Sequence, residues 1–189
     1  MPPKTKVTRE MIVNAALEIA RESGVESVNA RMVAERLHCS TQPVMYHFAT
    51  IDSLKRAAYA QADQEHTAYL MDIPPGQLPI LGIGLNYIRY AVERPHLFRF
   101  LFQSGYTEEK SLLDMADSED LLPVLGAMQA ELGMSMEKTK GVFVTVALFA
   151  HGLASIIANN GLSYDEGLIA AHLERAWNGA VLAAQKEEP

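Results

Sequence analysis

Cysteine is nearly absent. The single thiol, Cys39, excludes a framework of internal disulfides and agrees with a reducing compartment. No apolar stretch follows the first charges, MPPKTKVTRE, so no signal peptide is expected. Phosphate-loop and zinc-protease patterns are missing, as is a Gly-x-Ser-x-Gly elbow. Ser, His and Asp nowhere stand at a spacing that suggests a triad. His38 and Cys39 are adjacent, so they cannot easily face one ion, and no second pair completes a metal site. No catalytic residue, metal or cofactor is therefore expected, and the chain does not read as an enzyme. Internal repeats and period-two alternation of useful length are also lacking. What remains is helical throughout, an all-α chain.

Positive charge is scarce as well. There are 16 Lys and Arg against 23 Asp and Glu, for a net charge of −7, which taken alone argues against nucleic acid. The distribution matters more. Residues 1–60 carry a balance of +2 and the remainder −9. A mildly basic head on an acidic body can approach phosphate, although an ordinary solvated surface could show the same asymmetry. With 189 residues, 49% hydrophobic and 21% charged, the chain is long enough for one or two domains with a real core.

The most informative stretch is Asn29 to Phe48, NARMVAERLHCSTQPVMYHF. Ala30, Val33, Ala34 and Leu37 repeat at helical spacing, with Arg31 and Glu35 four apart as a weak supporting pair. His38-Cys39-Ser40 makes the turn, with Cys39 as a small buried residue. Ser40 or Thr41 caps a second helix, and Pro43 falls in its first turn, where no donor is lost. Val44 and Phe48 share one face, so Thr41, Gln42, Tyr46 and His47 point elsewhere. So short a helix must dock on its neighbours, and its outward face is polar without being a run of Lys and Glu. This is the pattern of a helix-turn-helix, and DNA contact is the better reading of that face than plain surface. Candidate DNA contacts are Lys6, Thr8, Arg31, Thr41, Gln42, Pro43, Tyr46, His47 and Lys55.

Around it, Thr8 is the expected cap of a first helix with Met11, Ile12, Ala15, Ala16 and Ile19 on one face, ended at Gly24 in the left-handed conformation. A long helix from Thr50 towards Met71 follows, its early part clamping the head and its later part, with Ala62, Tyr69 and Leu70, reaching the body. Gln77–Glu93 should be helical with Leu81, Leu85, Ile88 and Val92 as one stripe, then a short apolar helix at His96–Ser104. An acidic connection spans Gly105–Asp117, and Pro123 delays or kinks a seventh helix. Ser135 opens an eighth and Ser163 to Glu166 a ninth, through a capping box. Gly141 to Tyr164 holds no charge and is long enough to cross a membrane. Thr145, His151, Ser155, Asn159 and Asn160 within it, and the lack of a basic flank, speak for a helix buried between its own domain and a partner.

The first fifty-odd residues resemble the DNA-binding domain of the tetracycline-repressor (TetR) family of bacterial transcriptional regulators. The resemblance rests on Ile12, Ala15, Ala16, Leu17, Ile19 and Gly24, then Val33-Ala34 and Leu37, then Cys39 to Val44, His47-Phe48 and Leu54. It continues loosely through Pro95, Leu97-Phe98 and His151 to Ala154. Three positions depart from the pattern: His38 replaces a turn Gly, Met45 a frequent Tyr, and Ile51 a Lys that often touches phosphate. The resemblance implies a helix-turn-helix DNA-binding domain over residues 1–55 and a helical dimerisation and ligand-binding domain over 56–189, about nine helices in all. It further implies a homodimer in the bacterial cytoplasm, bound to a double-stranded, near-palindromic operator. The habit of the family is repression, relieved by a small-molecule effector whose identity is unknown.

On this reading Tyr87, Tyr90, Phe98, Phe102, Met128 and Phe143 would line the effector pocket, although core packing accounts for each one taken singly. His151, Gly152, Ala154, Ser155, Ala176 and Gly179 would form the dimer interface. His151 could otherwise hold a ligand. The rival reading is a helical binding module of the same fold that has lost DNA binding.

Overall fold

The structure, a computed structural model, describes residues 7–74, 76, 78–106, 116, 117 and 119–186. Along these residues run nine α-helices: α1 (Arg9–Ser23), α2 (Ala30–Arg36), α3 (Thr41–His47), α4 (Ile51–Leu70), α5 (Pro79–Glu93), α6 (Pro95–Gln103), α7 (Leu122–Leu132), α8 (Met136–Asn160) and α9 (Glu166–Lys186). Short 3-10 turns at Val25–Ser27 and Glu119–Leu121 precede α2 and α7, and no strand occurs among the described residues.

Local chemistry sets most of the helix ends. Thr8 Oγ1 accepts from the Met11 N–H at 3.2 Å and Asn29 Oδ1 from Met32 at 3.0 Å, each satisfying a donor the first turn cannot. Thr50 Oγ1 does the same for Ser53, and Ser135 Oγ for Lys138. Two ends differ from the sequence reading. Ser40 stands at the cap of α3 but makes no side-chain cap bond. Asp165, not Ser163, caps α9, through its Oδ1 to the Leu168 N–H at 3.0 Å. A carboxylate one residue before the helix also meets its positive end, so the cap moves two residues along. Gly24 ends α1 at φ 84° with an extended ψ of 157°, not in the left-handed helical well.

The described residues fall into two compact units: one within Met1–Thr67 and Arg94–Thr107, the other within Ala68–Glu93 and Glu108–Pro189. This differs from a division after residue 55. The reason is that α4 runs unbroken through that point, with Leu54, Ala58, Ala62 and His66 buried in turn, and that α6 returns to pack on α1. In the first unit α1 is the hub, with Ile12, Ala16, Leu17 and Ile19 buried against α2, α3 and α6. From α6 come Leu97, Phe98, Phe100 and Leu101, all buried. Along α4, Tyr59 donates to the Leu101 carbonyl at 3.2 Å, Gln61 to Asn14 at 2.8 Å, and Glu65 accepts from Arg21 at 2.7 Å.

In the second unit α5 is buried nearly all round, not along a single stripe, because α7, α8 and α9 all pack on it. Gly84 makes one of these contacts possible, since a Cβ there would lie 2.7 Å from Leu173 Cδ2 of α9. Asn86, also buried, donates to the carbonyls of Tyr69, Leu70 and Asp72 at 3.0–3.3 Å. It thereby satisfies acceptors at the end of α4 that no further turn can reach. Its own Oδ1 accepts from Arg89, which also holds Glu166 at the start of α9 at 2.9 Å. By length and composition α8 could cross a membrane, but here it packs between α5, α7 and α9.

Candidate nucleic-acid interface

The site is built around α3, seven residues long and too short to stand alone. Val44, fully buried, and Phe48 anchor it on the core of the first unit. The turn before it closes through Cys39 N–H to the Ala34 carbonyl at 2.9 Å, with His38 at φ 51°. Imidazole is among the side chains that tolerate this region, so the missing turn glycine is accommodated. Cys39 is half-buried rather than enclosed. Among the described residues no group of three or more His, Cys, Asp or Glu is placed to hold a metal.

With α3 anchored in this way, Thr41, Gln42, Met45 and Tyr46 are exposed and Pro43 is half-exposed; Tyr46 stands out at 86%. His47 is turned another way. Its Nε2 donates to the Val7 carbonyl at 3.3 Å, and its ring meets Tyr46 edge-on at 5.2 Å. Tyr46 and His47, both candidate contacts, thus stand in two different settings, one open and one tied to Val7.

The nearby charges divide in a similar manner. Arg36 forms a two-pronged pair with Glu22, one prong at 2.9 Å, and this hydrogen bond holds the Glu22 carboxyl below its usual range. Arg56 pairs with Asp52 at 3.0 Å and lies over the Tyr106 ring. Arg9, Arg31 and Lys55 form no ion pair among the described residues, and Arg9 lies 4.8 Å over the Phe48 ring at the end of α3. The Arg31–Glu35 support expected within α2 is therefore not made. Thr8 is exposed, although its oxygen serves α1, and Ile51 and Lys55 are half-exposed. Lys6 lies outside the described residues.

The six pocket candidates divide between the two units. Phe98 and Phe102 belong to the first unit, stacked at 5.0 Å, whereas Tyr87, Tyr90, Met128 and Phe143 belong to the second. Apolar bulk at helical spacing fills a core and lines a cavity equally well, so sequence cannot separate the two. A hollow of about 1290 Å³ lies elsewhere in the second unit, between the end of α7, the first half of α8 and the second half of α9. The interface candidates separate as well. Gly152 and Gly179 are exposed, Ser155 and Ala176 half-exposed, but Ala154 is 0% exposed within its own chain. His151 is engaged through Nδ1 by the Tyr87 hydroxyl at 2.8 Å. Met45, not among the candidate contacts, is exposed as well, and its place three residues after Gln42 puts both on one face.

Residues 80–181, more than half of the chain, match the family model of the tetracyclin repressor-like C-terminal domain. The chain belongs to the TetR family. It is thus a helix-turn-helix regulator of transcription, of a class that binds DNA. Over 174 residues, 89% of this chain and 88% of the relative, it is 20% identical to the uncharacterised HTH-type transcriptional regulator YobS of Bacillus subtilis (strain 168). A TetR-family regulator from Streptomyces coelicolor shares the fold with a TM-score of 0.67 at 14% identity, over 96% of this chain and 89% of that one. The multidrug binding protein EbrR, solved with ethidium, shares it at 0.55 and 19% identity, over 89% and 96%. The TetR fold thus accounts for both units, from helix-turn-helix to α9.

Proposed function

We propose that this TetR regulator is a repressor that binds a near-palindromic duplex as a homodimer in the bacterial cytoplasm and is released by a small molecule. The observation that carries DNA binding is the exposed face of α3, where Thr41, Gln42 and Tyr46 present hydrogen-bonding groups and Arg9 lies over Phe48 at the helix end. Arg9, Arg31 and Lys55 form no ion pair among the described residues and so are available to phosphate. Base edges are read by the first group and backbone is met by the second. Dimerisation has its support in α8 and α9, whose exposed Leu148, Gly152, Ile156, Gly179 and Leu182 recur every three or four residues without a charge among them. A symmetric four-helix contact covers such faces. The effector finds support in EbrR, which holds ethidium. An effector lodged near Tyr87, Tyr90, Met128 and Phe143 would have to open packed side chains. It releases DNA only by favouring one arrangement of the dimer, with a coupling of about 1–3 kcal/mol.

The test is selection of binding sites from random DNA, followed by two variants measured across a salt series. Gln42→Ala should cost about 1–3 kcal/mol on the selected site and leave random duplex almost unchanged. Lys55→Ala should weaken both and flatten the salt dependence by about one unit per phosphate lost. If no sequence is enriched, the chain is instead a binding module of this fold without DNA activity.

A further inference from the structure

Of the exposed side chains on α3, one has no hydrogen bond to offer a base. Met45 is 44% exposed although Val44, next to it, supplies the anchor. At about 100° per residue, Thr41, Met45, Gln42 and Tyr46 follow one another around an arc of about 140°. The thioether therefore sits inside the polar face, flanked by Thr41 and Gln42, and not at its edge. Its sulfur is a weak acceptor and it has no donor, so it can neither pair with base acceptors nor hold a phosphate. Among the base edges of the major groove there is one apolar group, the C5-methyl of thymine. A long, unbranched, polarisable side chain is well made to reach it.

We infer that Met45 reads a thymine methyl in each half-site. This rests on α3 being the reading helix, as proposed above. It also places the thymine. Residues three apart on a helix have Cβ atoms about 5–6 Å apart, less than two base steps of about 3.4 Å. The thymine lies within two base pairs of the base that Gln42 contacts. Met45 thus sets specificity by contact alone, while Gln42 sets it by paired hydrogen bonds.

Uracil lacks only that methyl, so replacing thymines one at a time by deoxyuridine in the selected duplex isolates the contact. One position per half-site should lose about three- to tenfold in affinity for the wild type, as expected for one buried methyl. Met45→Ala should bind the thymine duplex weaker by a similar factor and lose the thymine–uracil difference at that position alone. Met45→Leu should restore the difference. Because the side chain is exposed, both variants should melt with the wild type, which thermal unfolding checks. A wild type indifferent to uracil at every position, or a uracil effect unchanged in Met45→Ala, overturns the assignment while leaving DNA binding intact. A wild type that selects no duplex overturns both.

Discussion

His66 places a titratable ring where a proton is unwelcome. It is buried in the first unit, edge-on to Phe102 at 5.2 Å, and burial lowers its pKa from 6.5 to about 4. The unfolded chain therefore binds a proton at higher pH than the folded one does. Stability from this residue should be complete above pH 6.5, fall as pH drops from 6.5 to 4, and level off below. The total loss is roughly 3 kcal/mol at about 1.4 kcal/mol per unit. Urea unfolding from pH 7 to pH 4 should show this slope, and His66→Leu should flatten it; an unchanged slope would assign the effect to other groups. At this scale the sequence was legible wherever the chemistry is local. Thr8 and Ser135 cap the helices that follow them because a cap needs only the next three residues. His47 was not, because its partner Val7 is 40 residues away and nothing in the intervening chain encodes the contact.

Helix α8 shows the limit of periodicity as a guide to faces. Its uncharged run gave no polar side to mark which flank meets its own chain and which a partner. In the structure Val142, Val146, Ala150, Ala154 and Ile157 are buried in their own chain, while Leu148 and Ile156 are 46% and 49% exposed. Ala154 had stood among the interface residues; it belongs to the internal side. Glutamate there would bury an unpaired charge, at a cost of several kcal/mol, and should prevent folding whatever the oligomeric state. Gly152 is the better probe, since a Cβ there would meet nothing within 4 Å. Gly152→Glu and Ile156→Glu should give folded monomers, with a melting temperature lowered by no more than loss of the dimer explains. Sedimentation at micromolar concentration checks this; a dimer that survives both changes would place the contact on another face. The start of α8, by contrast, was readable from Ser135, because a start signal does not depend on what surrounds the helix.

At the level of the molecule, the order of the helices among the described residues was legible and the boundary between the units was not. A linear reading divides a chain at a point, and residue 55 looked like the end of the helix-turn-helix. In the structure the first unit is completed by α6, which returns after α5 has been laid down in the other unit. Its Leu97, Phe98, Phe100 and Leu101 are at most 1% exposed. A fragment ending at residue 67 should therefore lack a dispersed amide spectrum and bind the selected DNA poorly. A fragment that folds and binds like the whole chain would show α6 to be dispensable. Synthesis from the N-terminus gives this arrangement a further consequence. After residue 67 the ribosome must add about 40 residues before α6 exists, roughly 2–8 seconds at common elongation rates. For that interval the helices proposed to read DNA emerge attached to an unfinished core. A nascent chain of the proposed repressor is thus kept from engaging DNA until α5, the first helix of the second unit, has already been made.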